Sequence, residues 1–310
     1  MTILITGGLG HIGSHLAHTL RDRGYQVIVS DLKILKEDGY ARGDVCSFVE
    51  MHRIFKENQV KHVFHLAGEV GRENGEMFPR RCVDVNVSGT LNLIQLCIEH
   101  GARLYFASTS EVYGELAGQY KLTEELINTH SPCLTNCYAL SKLQAEEYLS
   151  HFNAHYGLDA MSFRFFMCYG EGEYPIPYRS AMTNFIYRIL TDQPISVHIG
   201  TARSWCYVSD IVEGCILAME HHNHGRYEAY NIGRDELVQT TKVAEMICEI
   251  AGKPKSLIQY TEPNWLITPI KDASFAKAKE TLEYESKVSL AEGISRTIAW
   301  QRKVILRDAK

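Results

Sequence analysis

Short apolar runs alternate with amphipathic stretches through the first half of the chain, and this alternation constrains the fold more than any other feature. Runs 2–6, 26–30, 62–66, 103–108 and 160–166 are each rich in Val, Ile, Leu or Phe. A strand with one wet face alternates polar and apolar residues, whereas uniformly apolar strands suit a sheet covered on both faces. Between these runs, 11–23, 47–58, 86–100 and 135–156 show helical spacing. Parallel strands joined by right-handed helical crossovers leave the doubly wound α/β sheet as the simplest topology.

The pattern changes after Tyr169-Gly170. Residues 171–179 hold Gly172, Pro175 and Pro177 and read as a loop leaving the sheet. Helical spacing returns at 183–191, 207–221 and 240–251, with strand-like runs at 195–199 and 226–232. We expect residues 1–170 with about 205–232 to form a Rossmann domain. About 171–204 with 233–310 then form a smaller α/β lobe.

Bulk properties exclude several classes. A hydrophobic share of 45%, a charged share of 22% and a net charge of -5 give no polyanion-binding signature, so nucleic acid is not an expected partner. No apolar run is long enough to span a bilayer, and Met1 leads directly into a strand without a signal-peptide pattern. These traits lead us to expect a cytoplasmic enzyme. Nine cysteines lack any C-x-x-C pair, and nothing near Cys133 and Cys137 completes a zinc set. The His221-His-Asn-His224 run sits beside Gly225 at a helix-to-strand connection and reads as a solvated loop. No metal is expected.

Gly7, Gly10 and Gly13 are spaced G-x-x-G-x-x-G between the first strand and the first helix, enclosing His11 and Ile12. Glycines there let the backbone approach a pyrophosphate, and the helix N-terminus aims N–H groups at it. Asp31 ends the second strand, where a carboxylate accepts both ribose hydroxyls and repels a 2′-phosphate; NAD is the expected cofactor, although Lys33 follows closely. Asp44 and Val45 stand where they would bracket an adenine, though a plain helix N-cap explains Asp44 equally well. Leu66 and Ala67 stand at the end of the third apolar run, where the ligand crevice of such sheets lies.

Ser108-Thr109-Ser110-Glu111 places small polar and acidic residues at another strand end. Tyr138 and Lys142 follow on the next helix, i and i+4, and share one face. A tyrosine is a poor base at neutral pH, so we expect the adjacent ammonium and the positive nicotinamide to favour the phenolate and lower its pKa. Phenol and ammonium facing a dinucleotide would move a proton together with a hydride.

These residues, with Asn86-Val-Ser-Gly-Thr90, Tyr169-Gly170 and Arg203-Ser-Trp-Cys-Tyr-Val-Ser-Asp210, resemble the extended short-chain dehydrogenase/reductase superfamily in its nucleotide-sugar epimerase/dehydratase branch. The resemblance covers nearly the whole chain. It implies a tightly held NAD, with Asn86 and Ser108 near the cofactor, and a transient 4-keto sugar. It implies that Tyr138 takes the proton of a sugar hydroxyl while Lys142 holds the nicotinamide ribose. Thr109 or Ser110 would hydrogen-bond the reacting oxygen, and Arg203 would pair with the substrate diphosphate. Asn184, Phe185 and His198 would contact the nucleoside. Relatives commonly form homodimers through the helices at 86–100 and 135–156.

The branches part after the ketone. A 4-epimerase needs no second acid/base, a dehydratase removes a C5 proton, and a decarboxylase loses a uronate carboxyl. Thr109-Ser110-Glu111 resembles the decarboxylases, whereas 173–186 is similar to the broad epimerase group. Met167 stands where relatives usually have a substrate-binding Asn, and a thioether cannot donate that hydrogen bond. A 4-epimerase is the narrow preference, with dehydratase (4,6- or 5,6-) and decarboxylase as alternatives using Glu111. A non-catalytic NAD-binding redox sensor is the distant one.

Overall fold

The structure of the protein is a computed structural model that describes residues 1–176, 180–221 and 225–305. Residues 177–179 of the expected loop and 222–224 of the histidine run lie outside the described residues.

Six parallel strands form the central sheet: β1 (Thr2–Thr6), β2 (Gln26–Ser30), β3 (Val60–His65), β4 (Arg103–Thr109), β5 (Ala160–Phe165) and β6 (Glu228–Ile232), in the spatial order β6-β5-β4-β3-β1-β2. Strand order reverses at β1, so the carboxyl ends of β1 and β3 open the crevice in which ligands of such sheets bind. Strand β1 is buried along its length because both of its faces are used. Ile3 and Ile5 join Leu16 and Leu20 in one apolar cluster, while Leu4 joins Met51, Ile54 and Leu93 in another. Each such side chain contributes about 1.5–3 kcal/mol by leaving water.

Helices α1 (His11–Asp22) and α5 (Val208–His221) pack together on one face. Helices α2 (Phe48–Asn58), α3 (Gly89–His100) and α4 (Cys137–Tyr156) cover the other. Asn136 caps α4 by accepting from the Ala139 N–H at 2.8 Å, and Gly157 ends it in the left-handed region at φ 72°. The helix expected from Asn86 is the second half of a longer helical run. It is preceded by a π-helical segment, Cys82–Ser88, which contains Asn86.

The remaining chain builds small sheets beside the carboxyl ends of the strands. Ala202–Ser204 pairs antiparallel with Leu237–Gln239 and parallel with Ile270–Lys271, which sets Lys271 directly opposite Arg203. Ile195–His198 pairs with Ile258–Thr261. Helices at Ala181–Leu190, Thr240–Ala251 and Leu290–Trp300 bury Ile186, Ile247 and Ile294 in the same apolar cluster as Ile3 and Ile5. Among the described residues no helix is long and apolar enough to cross a membrane.

Candidate active site

A cleft of about 1030 Å³ runs over the carboxyl ends of the strands and takes in residues of the smaller sheets. Its nucleotide end is built on close backbone contact. Gly7 holds φ +66°, and a Cβ there would stand 2.6 Å from the Ala67 nitrogen; a Cβ on Gly13 would stand 2.5 Å from the Gly7 carbonyl oxygen. Only glycine permits this turn. Helix α1 starts at Gly10 without a side-chain cap, leaving its first N–H groups for an anion. His11, Ile12, Leu66 and Ala67 line the same end. The Asp31 carboxylate also lines the cleft, braced by the N–H groups of Leu9 (3.2 Å) and Leu32 (2.8 Å). This bare turn, free helix N-terminus and aimed carboxylate fit a dinucleotide.

The N-cap explanation of Asp44 and a cleft position for Asn86 are not borne out. Asp44 and Val45 line the cleft, but Asp44 does not cap α2. Ser47 does, accepting from the Glu50 N–H, while Asp44 turns back onto the Cys46 N–H at 2.9 Å. Asn86 is fully buried and does not line the cleft. Its amide donates to the Glu69 carbonyl (3.0 Å) and the Ser141 hydroxyl (2.9 Å) and accepts from the Glu69 N–H (2.9 Å). It therefore shapes the 68–69 backbone from behind. Ser108 lines the cleft with its hydroxyl donated to Glu146, whose carboxylate forms a buried ion pair with Arg164 at 2.7 Å.

Tyr138, Lys142, Thr109 and Ser110 converge at the other end, all nearly buried. Thr109 caps the turn that follows β4, accepting from the Glu111 N–H at 3.2 Å, and its side chain favours the ionised form of the Tyr138 phenol. Burial pushes the Tyr138 phenol well above its ordinary 10, against the pull of Thr109. The expected lowering by Lys142 is not seen, because that ammonium donates to the Ala107 carbonyl (2.8 Å) and lies 4.6 Å over the Phe106 ring. Burial brings Lys142 itself down to about 8.

Glu111 lies beside this pair. Its carboxylate is 2.6 Å from the Lys271 ammonium and 3.9 Å from Arg72 Nε. Burial raises its pKa, but Lys271, Arg72 and Arg203 outweigh burial and hold it below the usual carboxylate range. Burial and the two guanidiniums bring Lys271 down to about 8. Sequence reasoning missed both Lys271 and Arg72, since no local motif marks them. Arg203 lines the cleft, held by the carbonyls of Ala202 (2.8 Å), Pro269 (2.7 Å) and Thr268.

Met167, Phe185 and His198 also line the cleft. Asn184 does not; its amide donates to the carbonyls of Ile176 and Ser180. The nine cysteines carry no disulfide. Among the described residues, only His52, Glu99 and His100 group as potential metal ligands, and none of them lines the cleft.

A doubly wound sheet with a bare glycine turn at one end of its cleft and a Tyr/Lys pair at the other defines a dinucleotide-dependent enzyme that moves hydride and proton together. The chain belongs to the NAD dependent epimerase/dehydratase family, whose model matches residues 3–233. UDP-glucuronic acid decarboxylase 6 of Arabidopsis thaliana is 32% identical over 304 residues, 95% of this chain and 87% of that protein. UDP-glucuronate 4-epimerase of Thermodesulfobacterium geofontis is 28% identical over 323 residues, 97% of this chain and 96% of that protein. The crystal structure of UDP-glucose 4-epimerase from Thermotoga maritima with UDP-glucose matches with a TM-score of 0.89 and 31% identity, over 98% of this chain and all of that one. The protein is thus a NAD-dependent enzyme of nucleotide-sugar modification, and the sensor reading falls away.

Proposed function

We propose that the protein is a UDP-sugar 4-epimerase acting through transient oxidation at sugar C4. The observation that carries this reading is the Glu111–Lys271 ion pair: it engages the carboxylate that a second acid/base step would need and leaves the proton transfer to Tyr138, beside Thr109. Epimerisation asks for no second acid/base. A bound NAD, held at the Gly7–Gly13 turn and by Asp31, would supply the hydride acceptor and donor for this chemistry. As the phenolate that the positive charge of a bound nicotinamide would favour against burial, Tyr138 takes the 4-hydroxyl proton during the oxidation and gives it back during the reduction, after the ketone has turned its other face. Thr109 hydrogen-bonds the reacting oxygen in both directions. Lys142 holds the nicotinamide ribose, and Arg203 faces the diphosphate, a task its planar fork suits.

Residues 1–170 with about 205–232 form the NAD-binding part in this reading, and about 171–204 with 233–310 the nucleotide-sugar part. A homodimer through α3 and α4 is supported by Ile98 and Leu140, apolar residues exposed on their outer faces; size-exclusion chromatography with light scattering tests it. The unpaired cysteines support a reducing compartment such as the cytosol.

A decarboxylase is the second reading, favoured by Glu111, since an epimerase has no task for a second carboxylate beside Tyr138. A dehydratase is disfavoured, because a C5 base works best with a pKa near the working pH and Lys271 holds Glu111 far below it. Incubation with a panel of UDP-sugars, followed by mass spectrometry and NMR, is the test. A product of equal mass inverted at C4 is expected. Loss of carbon dioxide or of water would replace the reading with a decarboxylase or a dehydratase.

A further inference from the structure

We infer that the cleft selects a sugar bearing a carboxylate, a nucleotide hexuronate, with Arg72 and Lys271 as the residues that read its charge. This rests on the proposed C4 chemistry and names its substrate class.

Charge around Glu111 does not balance. Arg72, Lys271 and Arg203 surround it, three cations against one carboxylate. The Lys271 side chain is 2% exposed and that of Glu111 14%, so water screens the excess poorly. Hydrogen bonds do not remove it either. Arg203 spends its N–H groups on backbone carbonyls, Arg72 donates to the Leu266 carbonyl (2.9 Å), and Lys271 donates to the Ser110 hydroxyl (3.3 Å). All those acceptors are neutral. Buried cations without a counter-charge are costly, and an incoming anion removes that cost.

The diphosphate alone does not account for the arrangement. Glu111 is two residues beyond Thr109 and close enough to act on the Tyr138 phenol, so this end of the cluster faces the reacting sugar. Arg203 stands across the 270–271 strand from it and is left to the diphosphate. Arg72 lines the cleft with its side chain 24% exposed and its Nε 3.9 Å from Glu111, a loose ion pair with no direct hydrogen bond to that carboxylate. A neutral hydroxymethyl group offers these cations nothing, and a site with unpaired polar groups rejects such a ligand strongly.

The test is equilibrium binding to the NAD-loaded protein of UDP-glucuronate, UDP-galacturonate, UDP-glucose, UDP-galactose and UDP, repeated with Arg72→Gln and Arg72→Lys. The uronates should bind at least about tenfold tighter than the neutral sugars. That ratio should fall below about threefold in Arg72→Gln and largely survive in Arg72→Lys. Equal binding of neutral and charged sugars, or a ratio untouched in Arg72→Gln, overturns the inference and leaves the C4 reading standing. Failure of every UDP-sugar and of UDP to bind overturns both. If Arg72→Gln does not fold, the wild-type ratio decides.

Discussion

The Lys271 ammonium lies 2.6 Å from the Glu111 carboxylate, closing an ion pair between the end of β4 and a two-residue strand far along the chain. Removing one partner of such a pair leaves the other buried and uncompensated. Glu111→Gln should therefore cost about 3 kcal/mol, read from urea denaturation. Adding Lys271→Met to that variant should restore most of the loss. If the double variant is no more stable than Glu111→Gln, the pair is not the source.

In the proposed reaction Tyr138 is the proton-transfer group at the reacting oxygen. Tyr138→Phe should lower turnover about 10³-fold while NAD still quenches the protein's fluorescence. Retained turnover would move the acid/base role elsewhere.

At the nucleotide end, Gly7→Ala meets two obstacles, a φ of +66° and a Cβ 2.6 Å from the Ala67 nitrogen. The left-handed backbone alone costs about 1–2 kcal/mol. Because the clash separates the carboxyl ends of β1 and β3, NAD affinity measured by calorimetry should fall at least about tenfold. An unchanged affinity would mean that the pyrophosphate lies elsewhere.

His65 supplies a pH signature. It is buried between Thr6 (2.8 Å) and Thr90 (3.1 Å), and burial, aided by Lys142, brings it down to about 3. The unfolded chain, with a value near 6.5, binds this proton first. Stability from this group is complete above about pH 6.5 and is lost as pH falls toward 3. From pH 6.5 to 5 the loss is about 2 kcal/mol. His65→Gln should flatten the fall of Tm over that interval.

How much of this could be read from sequence follows physical range. The sheet was legible because uniformly apolar strands report burial locally, as at Ile3, Leu4 and Ile5. Gly7, Asp31, Tyr138 and Lys142 were legible because each belongs to a short, ordered motif. Lys271 was not, since only pairing of its strand with that of Arg203 brings it to Glu111. Asn86 looked like a cofactor residue by position, yet its hydrogen bonds turn it toward Glu69 and Ser141. The engagement of Lys142 was not legible either. Spacing on α4 places Lys142 on the same face, but the Ala107 carbonyl takes its proton donor and burial then dominates.

Because Lys271 stands opposite Arg203 in a ladder of only two rungs, the charge of the substrate end depends on alignment as well as on residue identity. A slip of one residue would turn Lys271 to the other face and bring Ile270 or Asp272 into its place. One residue gained or lost between 262 and 269 would thus exchange a cation for an alkyl group or an acid, with no functional side chain substituted. Length variation in that connection is a route by which the substrate could change while the glycine turn and the Tyr/Lys pair stay as they are.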